Sequence, residues 1–236
     1  MADHHRETIA SYADLSALQA RLGEAAGHDD ERIGQGYECL KQKGFYWVVV
    51  RVKAQRYRTP GPTPTLVIET WAQPPETAAI ERCYVISDDV GILAVARAKW
   101  VLVRVADGHP VRLRTIPGLL EARSFSDEDT LPRGYEPILD LTDASVVDLT
   151  VNAAGIDQNG HLNNAYFWQI ITAGSMQTEF PVAPIGASEI AYVKPLFAGE
   201  AIRIFYKKEG FRVEFSGRVW RDQQWILAFA GSYSCD

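Results

Sequence analysis

The chain repeats itself, and the repeat limits what it can fold into. Tyr57 and Tyr192 stand 135 residues apart (192 − 57), as do Trp71 and Tyr206 (206 − 71), and Ile92-Leu93-Ala94-Val95-Ala96 returns as Ile226-Leu227-Ala228-Phe229-Ala230 at an offset of 134 (226 − 92). Glu24-Ala25-Ala26-Gly27 and Ile171-Thr172-Ala173-Gly174 occupy comparable places in the two halves. Self-similarity at a fixed offset marks a duplicated structural unit. Each half of a 236-residue chain is long enough to bury a core of its own.

Within each half the order is a helix followed by strands. Ser11-x-x-Asp14 has the form of a capping box opening a helix with Leu15, Leu18, Leu22 and Ala25 on one face, and Gly27 is placed to end or loosen it. Strands are expected at 45–52, 65–71, 81–86 and 92–105, with a Pro/Gly turn at 59–64. In the last of these strands Ile92, Ala94, Ala96, Ala98, Trp100 and Leu102 share one side on a period of two. A Pro- and Gly-bearing acidic stretch at 115–144 reads as a linker. After it come a strand at 146–151, a helix ending near Pro181, and strands at 188–194, 201–206, 211–219 and 225–233. The expected domains are therefore 1–114 and 145–236, and the class is α+β.

Only the second copy carries the stretch Gly155-Ile156-Asp157-Gln158-Asn159-Gly160-His161-Leu162-Asn163-Asn164 ahead of its helix. From Leu162 onward that helix is apolar nearly all round, so it must be buried. Its first turn presents unpaired N–H groups and the positive dipole end towards Asp157, Asn159 and His161. Such a place favours a developing oxyanion. Asp and Asn before a helix also serve as caps, and a histidine there also serves as a hydrogen-bonded structural residue.

Asp157-x-Asn159-x-His161-x-Asn163-Asn164 resembles the signature of the acyl-carrier-protein thioesterases. The narrower Asp157 and Gly160-His161-Leu162-Asn163-Asn164-Ala165-Tyr166 is similar to single hot-dog acyl-CoA thioesterases. In the first half, Gly44-Phe45-Tyr46-Trp47-Val48-Val49-Val50-Arg51, Arg56-Tyr57, Glu69-Thr70-Trp71, Arg82, Gly91 and Trp100-Val101-Leu102 follow the carrier-protein family's order and spacing. Two departures stand out. The first strand ahead of Leu15 is short or missing, and Pro195 in Tyr192-Val193-Lys194-Pro195 stands where the plant enzymes carry a Glu.

The resemblance implies a tandem, or double, hot-dog: two long central helices, each wrapped by an antiparallel sheet. It also implies hydrolysis of acyl thioesters on an acyl carrier protein, with no cofactor and no metal. Thioester hydrolysis needs a water nucleophile, a proton acceptor and donors for the tetrahedral oxyanion. Asp157 would be the general base or a direct nucleophile, Asn159 would hold the water or the carbonyl, and His161 would orient either one or donate to the departing sulfur. Backbone N–H groups around Leu162 and Asn163 would form the oxyanion hole, with Asn163 and Asn164 supporting the loop. The acyl chain is expected along Ala94, Ala96, Ala98 and Trp100 of the first half. Rival readings are an acyl-CoA or polyketide thioesterase and a silent protein that binds acyl chains or a carrier.

Composition narrows the field further. With 47% hydrophobic and 23% charged residues the chain is that of an ordinary globular protein. A net charge of −6 argues against general nucleic-acid binding, which rests on a basic surface. It would also repel an acidic carrier, so docking is expected at a local basic segment holding Lys41, Lys43, Arg51, Lys53, Arg56 and Arg58. No apolar run approaches the ~20 residues of a membrane span, and the polar start lacks a secretion signal, so a cytoplasmic location is expected. Cys39, Cys83 and Cys235 are too few and too scattered for a disulfide framework or zinc cluster. No P-loop, dinucleotide fingerprint or His/Cys metal spacing occurs. Pairing into a homodimer is left open.

Overall fold

The computed structural model describes residues 4–235 except 13, 60, 62–64, 143, 179 and 181–184. Most of the expected turn at 59–64, and Pro181, lie outside the described residues, as does the side chain of Cys235. The chain divides into two compact units. One holds 21–134 with the first eleven residues, and the other holds 12–20 with 135–236.

In the first unit, β1 (His5–Ile9) precedes α1 (Leu15–Arg32), whose residues 15–20 count with the other unit, and a short α2 (Tyr37–Gln42). Then come β2 (Phe45–Arg56), β3 (Leu66–Ala72), β4 (Ala79–Ser87) and β5 (Ile92–Arg104). In the second, β6 (Ser145–Thr150) precedes α3 (Asn164–Ser175), and β7 (Ile185–Tyr192), β8 (Ala201–Glu209), β9 (Arg212–Arg221) and β10 (Gln224–Cys235) follow. The strand order is β1-β3-β4-β5-β2 in one unit and β6-β8-β9-β10-β7 in the other. Each strand of the first unit thus has its counterpart at the same place in the second, which is the duplication legible in the sequence. The pairings within each unit are antiparallel.

Three expectations need correction. Helix α1 starts later and runs further than its sequence suggests. Asp14 is itself the cap, accepting from the Ala17 amide at 2.8 Å, and the helix continues past Gly27 to Arg32. The continuation is held from outside: Leu18, Leu22, Ala25, Ala26 and Asp29 form one buried face, and the buried Arg82 of β4 donates to Asp29 (2.7 Å) and Asp30 (3.0 Å). The missing or short first strand is present as five residues, hydrogen-bonded to β3.

The third correction concerns the linker. Up to Gly134 it is folded onto the first unit. Leu113 and Leu119 enter a core with Leu40, Ala72, Ile80 and Leu102. Phe125 pairs with Ala72, Arg123 donates to Asp30 at 2.7 Å, and Trp71 Nε1 donates to the Glu128 carbonyl at 2.9 Å. This strap also explains β5, both of whose faces are covered. Ala94, Ala96 and Ala98 are buried on one side, and on the other Arg97 is wholly enclosed, donating to Gln73, Glu81, Asp129 and the Leu131 carbonyl. A guanidinium removed from water demands that many acceptors.

In the second unit the core is aromatic. Phe167 of α3 meets Tyr192 and Phe229 edge-on at 5.0 and 5.2 Å, and Trp168 meets Phe215 at 5.7 Å. Tyr206 donates to the Ile171 carbonyl at 2.7 Å, so a buried hydroxyl finds its acceptor on the helix backbone. These contacts fix α3 against its sheet and so fix the loop that precedes it. Among the described residues no helix is long and apolar enough to cross a membrane.

Candidate active site

The Gly155–Asn163 loop is a closed turn standing directly before α3. The Asp157 amide donates to the His161 carbonyl at 2.8 Å, and the Gly160 amide donates to the Asp157 carbonyl at 3.0 Å. The turn needs φ +79° at Gly160, a left-handed conformation that glycine adopts without steric cost. Gly155 is required for another reason: a Cβ there would fall 2.8 Å from both Leu162 Cδ1 and Tyr166 Cδ1, so a larger residue would push the loop off the helix.

Asp157, Asn159 and His161 are brought together, all half-buried. Asp157 Oδ1 accepts from the amides of Asn159 (2.8 Å) and His161 (3.3 Å), which fastens one carboxylate oxygen inside the loop. Asn163 is the helix cap, accepting from the Ala165 amide at 2.9 Å, and the Asn164 carbonyl accepts from the Tyr192 hydroxyl at 3.2 Å. Burial raises the pKa of that hydroxyl, so Tyr192 remains a neutral donor.

The oxyanion hole expected at Leu162 and Asn163 is corrected by the backbone bonding. The Leu162 amide donates to the Leu196 carbonyl at 2.7 Å and the Asn163 amide to the Gly155 carbonyl at 2.8 Å. Both donors are engaged in holding the loop. The Leu162 side chain is buried.

A group missed from the sequence stands beside His161. The ring of Phe197 meets the imidazole edge-on at 5.1 Å, and the Arg221 guanidinium lies over the Phe197 ring at 5.0 Å. Arg221 also pairs with Glu200 at 2.6 and 2.7 Å and donates to the Pro195 carbonyl at 2.6 Å, while the Phe197 amide donates to Glu200 at 2.8 Å. Burial acts to raise the Glu200 pKa, but Arg221 and the Phe197 amide outweigh it and hold the carboxyl below its ordinary value. Apart from Phe197 and Glu200, the partners in this bracket lie 21 to 36 positions apart, and no local pattern could have joined them.

The residues expected to take the acyl chain divide. Trp100 lines a cavity of about 140 Å³ in the first unit, together with Gly23, Gly27, Trp47, Ile80 and Arg123. Ala94, Ala96 and Ala98 are not among its lining residues and lie buried. Of the residues expected to dock a carrier, Lys53 donates to the carbonyls of Pro132 and Gly134, and Arg58 is paired with Asp88. Arg56 is half-buried, and Lys41 and Lys43 are exposed. Cys39 and Cys83 are free thiols.

Residues 5–114 match the sequence profile of the acyl-ACP thioesterase N-terminal domain. The resemblance read from the sequence holds. The chain is similar in structure to an acyl-ACP thioesterase from Bacteroides thetaiotaomicron (17% identity, 98% of this chain and 96% of that one, TM-score 0.82). It is similar also to the 12:0-ACP thioesterase from Umbellularia californica (17% identity, 98% and 96%, TM-score 0.84). A MaoC-like dehydratase from Phytophthora capsici aligns more loosely (14% identity, 80% and 72%, TM-score 0.53). These likenesses establish a hot-dog-like fold. No curated protein matches the chain at a significant level.

Proposed function

We propose that this chain hydrolyses acyl thioesters carried on an acyl carrier protein, releasing a free fatty acid, on a double hot-dog scaffold whose central helices are α1 and α3. The observation that carries the reading is the Asp157 carboxylate, anchored through one oxygen at the head of α3 with Asn159 and His161 beside it. Asp157 takes the proton of a water that attacks the thioester carbonyl. Asn159 and His161 orient the water and the carbonyl, and thiolate leaves without needing a strong acid. The oxyanion is received by the amide of Asn164, at the first helical position, where no helical carbonyl lies one turn back to engage it.

The acyl group is held by the first unit, whose cavity is walled by Trp47, Trp100 and Ile80. The carrier docks on the basic segment, through the exposed Lys41 and Lys43 and the half-buried Arg56. The test is thiol release across a panel of acyl carrier proteins and acyl-CoAs of several chain lengths. Release from at least one carrier-bound acyl group, about tenfold faster than from the matching CoA ester, is expected. Release from CoA esters alone would move the substrate class, and release from neither would leave a binding protein.

A further inference from the structure

Far from the Asp157 loop in sequence, the two elements that open the first unit bring three ligand-type side chains together. His5 and Glu7 alternate on β1 and so project to one side of the strand, and His28 comes from the penultimate turn of α1. His5 Nε2 lies 3.0 Å and His28 Nδ1 2.7 Å from the same oxygen, Glu7 Oε2, and donor atoms of all three lie within 4.8 Å of one another. Among the described residues no other group of His, Cys, Asp and Glu converges in this way.

With zinc bonds of about 2.0–2.2 Å, the ligand atoms of a tetrahedral site stand roughly 3.3 Å apart. The two imidazole–carboxylate separations, 3.0 and 2.7 Å, are shorter than that spacing and the two imidazole nitrogens lie within 4.8 Å of one another, so small torsional adjustments would open room for an ion. Two imidazole nitrogens and a carboxylate are a borderline-soft set, suited to zinc-class ions, whereas calcium and magnesium take oxygen donors. The side chains of His5 and Glu7 are 14% and 21% exposed and that of His28 is 54% exposed, which gives an ion an entry path. The carboxylates of Glu24 and Glu31 add negative field at His28.

We propose that His5, Glu7 and His28 form a binding site for a divalent transition-metal ion of the zinc class, with water in the remaining position. The ion joins β1 to α1. β1 is five residues long and hydrogen-bonded to β3, so a metal crosslink to the helix supplies an anchor that its own ladder does not. The site does not depend on the reaction proposed above, and with 21 residues between Glu7 and His28 no local metal-ligand spacing marks it in the sequence.

The experiment is calorimetric titration of the full chain with Zn²⁺ near pH 7.5 after removal of metal by chelation and dialysis. Wild type is expected to bind one equivalent with Kd tighter than about 100 μM. His28→Ala, at an exposed helix position where folding is retained, is expected to bind about 100-fold more weakly or not at all. Zn²⁺ should raise the Tm of wild type and not that of His28→Ala. His109→Ala and Cys39→Ser each remove another accessible donor and should bind as wild type does. A wild-type Kd weaker than about 100 μM, or His28→Ala binding as tightly as wild type, overturns the proposal.

Discussion

Asp157 Oδ1 accepts the amide hydrogens of Asn159, at 2.8 Å, and of His161, at 3.3 Å. One carboxylate oxygen therefore folds the loop, and among the described residues no bond engages the other. The two roles can be separated. Asp157→Ala removes the acceptor and should destabilise the second unit by about 1 kcal/mol, as loss of a capping side chain does. Asp157→Asn keeps an oxygen in place and should melt close to wild type. Equal melting temperatures for both variants would show that these bonds do not hold the loop.

The bracket of Phe197, Arg221 and Glu200 makes a second prediction. Phe197 is 39% exposed, so its replacement by Ala should cost little stability, yet it removes the ring against which the imidazole rests. A kcat lowered about tenfold with KM within twofold is expected, in line with the cost of a misplaced catalytic group. Arg221→Gln strips Glu200 of its partner and loosens the segment whose Leu196 carbonyl holds the Leu162 amide, so it should lower Tm by about 3 °C as well. Steady-state kinetics and melting curves on both variants decide the matter. An unchanged kcat for Phe197→Ala would make the ring contact incidental.

Gly27 faces the cavity from α1, with nothing within 4 Å of a Cβ built there. Gly27→Ala should therefore gain about 0.5–1 kcal/mol from helix propensity. Gly27→Phe should narrow the cavity and shift the preferred acyl chain to a shorter one. A chain-length profile that Gly27→Phe leaves unchanged would place the acyl group elsewhere.

Much of this was legible in the sequence, and the failures share a cause. The strands and their duplicated order follow from period-two patterns and the 134–135-residue offset, which are local or self-referential signals. What was missed depends on partners distant in sequence. Gly27 does not end α1 because Arg82, 53 positions beyond Asp29, grips the next turn. The segment at 115–134 resembles a linker in composition, yet Leu119 and Arg123 are buried by residues far up the chain. The Leu162 and Asn163 amides sit at a helix start as expected, but the carbonyls of Leu196 and Gly155 reached them first.

Acid should expose the ion pairs of the first unit. The hydrogen bond from Arg58 holds Asp88 at a pKa of about 2, and the amides of Val90 and Gly91 act the same way. Burial would raise Asp129, but Gln73, Arg97 and Arg133 outweigh it and bring that carboxyl to about 2 as well. Folded values below the unfolded ones mean that protonation favours unfolding. This contribution is complete above about pH 4 and is lost between about pH 4 and pH 2. Melting curves over that range should fall more steeply for wild type than for Asp88→Asn with Asp129→Asn, which should start lower at neutral pH. Parallel curves would assign acid sensitivity to other groups.

Carrier docking on the basic segment predicts a salt dependence. KM for a carrier-bound substrate should rise between 50 and 300 mM salt, roughly the range over which the Debye length falls below 10 Å, while KM for a small acyl thioester stays level. Arg56→Glu should have the same selective effect. An equal rise for both substrates would indicate damage to the site.

The central claim is that Asp157 removes a proton from the attacking water, and the most direct measurement is the kcat of Asp157→Asn on an acyl carrier protein substrate that wild type hydrolyses. With the fold confirmed by its melting temperature, thiol release should drop at least about 100-fold, the scale of a lost general base. A folded variant that retains more than about a tenth of wild-type kcat would contradict the account and leave Asp157 as the loop's structural anchor alone.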